Sequence, residues 1–553
     1  MKFKILILFL LIPFSFISAN HMNELETRGI FSLGYEDNFD PGSTVLRDLL
    51  SDEDESSIQE NSFKTIKRNK LGRAVLYMGT IWIVDSIRYW ATYAAWIEDW
   101  QFQLSWEDQK VRFFSLKANR FDSNPFRTNW THGLGGAIYF NIARYHNLNL
   151  FESVLFETAT SMIWEYFTEW REVVSLNDNF FSGVGGLPIG EPLFQLSKYL
   201  LSRKGTLSHI AGYILNPVFG ISDLFGGKKW RSNFKEEYFS APGLRLSLSN
   251  ENFSYRDENK DSGNRFHFNI GSEFIKIPEF GNPGNEEVKL KLNTTFYSDI
   301  EFGISIDNGS IEEYNFNTKI LYLGLFNQRI TKRESGKLEG YSFYIGASSA
   351  YNFYKKKALE VYDKGEYHYD FTANEQPEQP TNFTDKLAII NLIGPSARLT
   401  LYSSPFKFDI EADAYFDFGL VNSFALNKYS EENDIFSPRM KTTLIHYGYY
   451  YAFGYTLNMN SKLEISNIFV SGGFRYQKYS SIQGLDRFQD EIRDDCKIYD
   501  SRSIVKGGIG YHIPGSRFSV SLLYKRIVRE GTLKDVMVDE VETRIFSSLR
   551  ITF

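Results

Sequence analysis

His132, Glu165, Glu169, Ser175 and Asp178 lie in one short stretch of the chain and are of types that can do chemistry together. A histidine beside a carboxylate is an oriented base, and a serine within its reach would be a nucleophile. A histidine with three carboxylates is also a donor set for a divalent cation, the one cofactor such a set would take. A third chemistry is purely structural, a buried ion pair holding helices together. The elements that must position these residues read as a helical hairpin. His132–His146 forms one helix, Asn147-Leu148-Asn149 the turn and Leu150–Trp170 the next helix. Folding that hairpin about residue 148 sets His132 opposite Glu165. On the second helix Glu157, Ser161, Glu165 and Glu169 recur every four residues and share a face. Carboxylates one turn apart repel unless a proton or a cation sits between them. Three readings therefore stand: a structural pair, a cation site of His132, Glu165, Glu169 and Asp178, or a catalytic group of His132, Glu165 and Ser175.

The flanking residues read as scaffold. Ser175–Asp178 has the composition of a helix cap, with Asn177 or Asp178 satisfying backbone donors. Gly135 and Gly136 allow close helix packing. Glu191 opens a helix, Glu191–Ser202, where a carboxylate suits the N-terminal dipole. His132-Gly133-Leu134-Gly135-Gly136 is not a phosphate loop, because it lacks Gly-Lys-Ser/Thr and no strand precedes it. No Gly-x-Ser-x-Gly elbow accompanies Ser175.

Read in order, the segment runs Asn124-Pro125-Phe126, Asn129-Trp130, His132 to Tyr139, Ala143-Arg144, Trp164-Glu165-Tyr166, Glu169, Ser175 to Asp178, Gly185-Gly186 and Gly190-Glu191. This order and spacing resembles a family of bacterial outer-membrane proteins known only as a domain of unknown function. A proline usually follows the histidine there, and Gly133 stands in its place here. The resemblance implies a helical segment ahead of a barrel and implies no activity; Gly135, Gly136, Arg144, Asn177 and Glu191 are read as structural positions. A looser likeness, to VanZ-like membrane proteins, covers only the His, Glu, Ser-x-x-Asp and glycine positions.

The rest of the chain points to a membrane β-barrel. Leu549, Ile551 and Phe553 alternate up to a terminal phenylalanine, which resembles the closing strand of an outer-membrane barrel and the address read by the barrel-assembly machinery. At the other end Lys2 and Lys4 precede an apolar run, Ile5–Ile17, and a small-residue site at Ser18-Ala19, the pattern of a signal peptide over 1–19. That run is shorter than the roughly 20 residues a spanning helix needs. A mean hydropathy of −0.32 fits a barrel with a polar lumen. Residues 20–68 are polar and acidic and read as a disordered lead. Helical spacing covers 69–235, and strand alternation takes over across 240–553. About twelve antiparallel strands are legible, within a range of roughly ten to fourteen. They begin near Pro242, Arg265, Glu287, Tyr314, Tyr341, Leu387, Phe406, His446, Leu463, Ser501, Arg517 and Glu542. Tight connections are expected near Ser404, Asn460-Ser461 and Pro514-Gly515. Long ones are expected over 357–386, 421–445 and 481–500, the last exposing Cys496, the single cysteine. A secreted β-sandwich would share the alternation but not the long strands or the matching ends.

The expected architecture is an α+β membrane protein of a diderm bacterium, an outer-membrane barrel with its helical domain on the periplasmic side or as a plug in the lumen. A net charge of −7 from 61 basic and 68 acidic residues argues against nucleic acid. Outer-membrane lipid is the expected surroundings. The expected role is structural or in transport of small solutes or lipid, the alternative a lipid- or envelope-processing enzyme centred on His132 and Glu165.

Overall fold

In the computed structural model the described residues are 56–92, 101–203, 205–225, 241–257, 262–284, 286–356, 385–433, 440–493 and 495–553. The expected signal peptide, most of the acidic lead and most of the connection over 357–386 lie outside them. Twelve strands close a barrel: β1 (Ala241–Tyr255), β2 (Gly263–Ile275), β3 (Val288–Leu292 and Tyr297–Asp307), β4 (Ser310–Lys332), β5 (Leu338–Lys356), β6 (Lys386–Ser403), β7 (Phe406–Asn422), β8 (Tyr449–Ile465), β9 (Ile468–Ser481), β10 (Ile498–His512), β11 (Phe518–Leu533) and β12 (Val536–Thr552). Each pairs antiparallel with its neighbours in the chain, and β12 returns to β1 through pairs such as Leu549↔Leu248. The Phe553 N–H donates to the Leu244 carbonyl (2.9 Å) beside that seam.

β3 is one stave in two pieces. Leu292 pairs with Gly324 and Tyr297 with Leu321 on the same edge of β4, so the intervening residues bulge out of the ladder. The turn expected at Asn460-Ser461 falls at Ser466-Asn467 instead, with Ser466 left-handed (φ 55°). Asn460 and Ser461 lie within the strand ladder rather than at a turn. The connection after β7 carries two short helices rather than a simple loop.

Strand parity separates the two faces of the wall. On β7, Asp409, Glu411, Asp413 and Asp417 alternate with Ile410, Ala412, Phe416 and Phe418. The acidic set points inward, because its partners belong to strands elsewhere in the ring. Lys319 of β4 pairs with Glu411 and Asp413, and Arg398 of β6 reaches Glu273 of β2 (2.8 Å). Farther up the lumen Arg544 meets Glu313 (2.9 Å) and Lys356 meets Glu542 (3.2 Å). At the end with the long connections, Leu426, Tyr429 and Leu444 pack onto Val421, Ala452 and Ile498. At the other end, Phe296, Phe326 and Tyr344 form a second apolar layer. Cys496 is buried in the first of these layers, so it is not the surface probe its loop position suggested.

The helical region comprises α1 (Ser56–Thr92), α2 (Trp106–Phe114), α3 (Phe126–Tyr145), α4 (Leu150–Ile163, widening into a π-turn over Trp164–Thr168), α5 (Leu176–Gly183), α6 (Gly186–Ser202), α7 (Thr206–Leu215) and α8 (Pro217–Phe225). α1 starts at Ser56, inside the span expected to be a disordered lead. The run Asp52 to Glu55 immediately precedes it in sequence, and acidic residues favour a helix N-terminus. The α3–α4 hairpin forms as expected, with Asn147 left-handed (φ 60°) and Asn149 and Glu152 making a capping box.

The described helices do not enter the lumen. They pack on outward-facing side chains. Phe180 stacks on Phe418 (4.3 Å between centroids), Phe121 on Tyr451 (4.5 Å) and Trp130 against Phe353 (4.5 Å). In register, Tyr451, Leu420, Ala388, Phe353 and Phe316 form one row across β8, β7, β6, β5 and β4. Four of the five are buried, and Phe316 is partly so, all within the cluster that takes in the helices. At its far end α6 sets Leu196 and Tyr199 against Phe274 of β2 and Ile300 of β3. The expectation of a lumenal plug gives way because the apolar residues of α3, α5 and α6 match the apolar outer wall, whereas the lumen is already filled by its own charges.

Candidate functional site: a buried acidic cluster on the outer wall

The segment Val173–Asp178 follows the π-turn and brings the sequence-selected residues near one another. Ser175 is the helix cap: its hydroxyl accepts from the Asp178 N–H (3.2 Å), and the residue is fully buried. Asn177 and Asp178, the expected cap acceptors, are engaged elsewhere: Asn177 Oδ1 accepts from the Asp122 N–H (2.8 Å) and Asp178 faces His132. The Glu165 carboxylate accepts from the Ser175 N–H (2.9 Å). His132 faces Asp178 (Nε2–Oδ1 3.5 Å) rather than Glu165. The Glu169 carboxylate accepts from the Trp164 indole (2.9 Å). Among the described residues no three His, Cys, Asp or Glu side chains converge at metal-ligand spacing.

A hydrogen-bond chain ties this region to the barrel. Asn129 donates to the hydroxyls of Tyr449 (2.6 Å) and Tyr451 (2.9 Å) and accepts from Asn177 (2.7 Å). Asn177 also donates to Asp178 (2.9 Å), which faces His132. Tyr451 donates to the Asp122 carbonyl (2.8 Å). His132 is the partly exposed end of this chain, and Asn129 and Asn177 are fully buried.

Five participants were not anticipated: Arg112, Arg487, Tyr89, Asp122 and Glu172. Arg112, almost fully buried, donates to the carbonyls of Glu172 (2.8 Å), Tyr166 (2.8 Å), Glu169 (3.0 Å) and Glu165, closing the C-terminal end of the α4 π-turn. Arg487, from the β9–β10 connection, faces Asp122 (3.6 Å) and Glu172 (3.4 Å). Tyr89 donates to Glu172. Burial pushes the Asp122 carboxyl up to about 8, against the pull of Arg487 and with the help of Asp178 and Glu172. Burial also raises Glu165 and Glu169 well above the carboxylate range, helped by neighbouring acids.

The scaffold residues are resolved one by one. A Cβ on Gly136 would overlap the Ser182 carbonyl, so this position requires glycine, whereas Gly135 has open space around it. α6 begins at Gly186, ahead of the expected Glu191, with Pro188 tolerated in its first turn. Glu191 is fully buried within that helix and pairs with Arg144 (3.0 Å).

Residues 118–218 match the model of a domain of unknown function, DUF3943, a span that contains the whole cluster except Arg112, Tyr89 and Arg487. No curated protein matches the sequence. Similar solved structures are bacterial outer-membrane barrels. A loop-deletion mutant of OmpT, an outer membrane protein of Vibrio cholerae, is 7% identical over 57% of this chain and 100% of that one (TM-score 0.22). The translocator domain of the autotransporter NalP from Neisseria meningitidis is 8% identical over 61% and 97% (TM-score 0.18). The KdgM porin is 9% identical over 56% and 99% (TM-score 0.18). The chain's own strand pairing defines a closed twelve-strand antiparallel barrel with an N-terminal helical region.

Proposed function

We propose that this is an outer-membrane protein whose barrel is an anchor with a sealed lumen, and whose working part is the helical unit on its outer wall. Its role on this reading is structural or lipid-handling at that wall, not conduction of solutes. The observation that carries it is the filling of the lumen: two apolar layers near the ends and, between them, ion pairs with Arg544, Glu251 and Tyr344 almost fully buried. Lumens that conduct are water-filled. The exposed C-terminal Phe553 remains the proposed contact for the barrel-assembly machinery. Planar-bilayer recording of the purified protein tests the main claim. No stable conductance steps are expected. Steady, porin-like steps from the wild type would overturn it.

A second reading keeps the enzyme alternative, because His132 is the partly exposed end of a chain that orients it through Asp178. On that reading His132→Asn changes envelope lipid composition without loosening the fold. Unchanged lipids would count against it. Glu165 and Glu169 would act through their raised proton affinity, and Ser175 would hold the cap rather than attack.

A further inference from the structure

The outer layer of the helical region is built inside out. Apart from Leu150 at its start, the buried residues of α4 are Ser153, Glu157, Thr160 and Ser161, while its exposed positions are Phe151, Leu155, Ala159, Met162 and Ile163, with Leu155 70% exposed. α7 likewise exposes apolar residues, Leu207 and Ile214 at 82% and 71%, around a single buried Gly212. α1 exposes Ile83 and Ile87. A helix of a water-soluble domain turns its polar face outward. A helix in lipid turns polar groups toward protein. The two charges on this part of α1, Asp85 and Arg88, face each other at 3.8 Å.

The bare barrel wall beside the helices continues the same surface. Phe416, two positions from the covered Phe418, is 53% exposed. Phe453, paired with Phe418 across the ladder, packs on both Phe180 and Phe416. Phe302, in register with the helix-packed Phe316, is exposed at the other border. The apolar belt that a barrel gives to lipid therefore runs without a polar rim from the strands onto the helices. No described helix is long and apolar enough to cross a membrane, so these helices lean on the barrel rather than span alone.

We infer that the outer helical layer, α1, α4 and α7, is immersed in the acyl chains of the bilayer that surrounds the barrel. The occupant of this surface is membrane lipid, not a second protein. The polar cluster is then a membrane-embedded core shielded between two apolar surfaces, the wall and the outer helices. The inference deepens the outer-wall reading of the helical unit.

Site-directed spin labels on the full chain, in a Cys496→Ser background reconstituted into phosphatidylcholine vesicles, test this. Labels replace Leu155→Cys, Ile163→Cys and Ile214→Cys. Leu457→Cys on the bare wall is the lipid control, and Gly309→Cys at a strand turn is the water control. Collision with oxygen should exceed collision with a water-soluble nickel chelate at all three helix positions, as at Leu457. Nickel-dominated accessibility, as at Gly309, would overturn the inference. Low accessibility to both reagents would also overturn it, because a protein partner or second copy would then cover the face. Bilayer recording of the same sample reports lumen sealing separately, so failure of one claim is not failure of the other.

Discussion

Two buried polar networks share this molecule, and they are built on opposite principles. In the lumen, Arg265, Arg544 and Lys356 face Glu251, Glu313 and Glu542, cation for anion, through pairs such as Arg265–Glu251 (3.2 Å) and Arg544–Glu542 (2.9 Å). In the helical unit, Asp122, Glu165, Glu169, Glu172 and Asp178 crowd together while only Arg487 and His132 face their carboxylates. Arg112 is nearby, but its donors go to backbone carbonyls. A balanced network is fixed scaffolding. An acid-rich one must bind protons to stay buried, and so responds to its surroundings.

The contrast can be broken most forcefully in the lumen. Arg544→Met leaves three buried acids, Glu251, Glu313 and Glu542, to Arg265 and Lys356 alone among the described residues, and should cost about 4 kcal/mol, the scale for breaking a buried pair. It should lower the temperature at which the folded barrel shifts to the unfolded mobility on gels, and leave tryptophan emission before that transition unchanged. All nine tryptophans lie between Trp82 and Trp230, ahead of the first barrel strand, so that emission does not come from the strands themselves. Arg487→Met should act the other way round, moving the tryptophan signal and sparing the barrel. Its cost should be smaller, about 2 kcal/mol, because burial already raises the Asp122 carboxyl to about 8 against the pull of Arg487, so less charge is left unpaired.

A pH series sharpens the same contrast. Asp122 binds its proton more tightly folded than unfolded, so its contribution is complete below the unfolded value near 4 and is lost as pH rises toward about 8. Glu165 and Glu169 act in the same direction. The tryptophan-detected unfolding midpoint should fall from pH 5 to pH 8.5, and Asp122→Asn should flatten that slope. The smallest effect is expected from Glu165→Gln. The amide keeps the shape and an oxygen that can accept from the Ser175 N–H, so the change should stay within about 1 kcal/mol.

The barrel was largely legible because alternation survives without knowledge of partners: β7 reads Asp-Ile-Glu-Ala-Asp-Ala-Tyr-Phe-Asp-Phe in one pass. The bulge in β3 was not, since nothing in residues 293–296 marks an interruption. Asn460-Ser461 looked like a turn because both are turn-type residues, although the ladder runs through them with Asn460 opposite the lumenal Glu411 and Ser461 opposite the outward Ile410. The α3–α4 hairpin and the buried stripe on α4 were legible from spacing. The partner of His132 was not, because the π-turn and the cap at Ser175 bring Asp178, not Glu165, to it. Arg487 lies 315 residues from Glu172, beyond any local pattern. The position of the helices was misjudged for a related reason. Helical periodicity shows that two faces differ but not which of them meets protein and which meets lipid.

Cross-linking of adjacent barrel residues tests the central claim, that the helical unit rides on the outer wall. In a Cys496→Ser background, Phe180→Cys is combined either with Phe418→Cys, which faces out, or with Asp417→Cys, which faces the lumen. A short thiol cross-linker should join residue 180 to 418 and not to 417. Efficient linkage through 417 with none through 418 would put the helices inside the barrel and contradict the account.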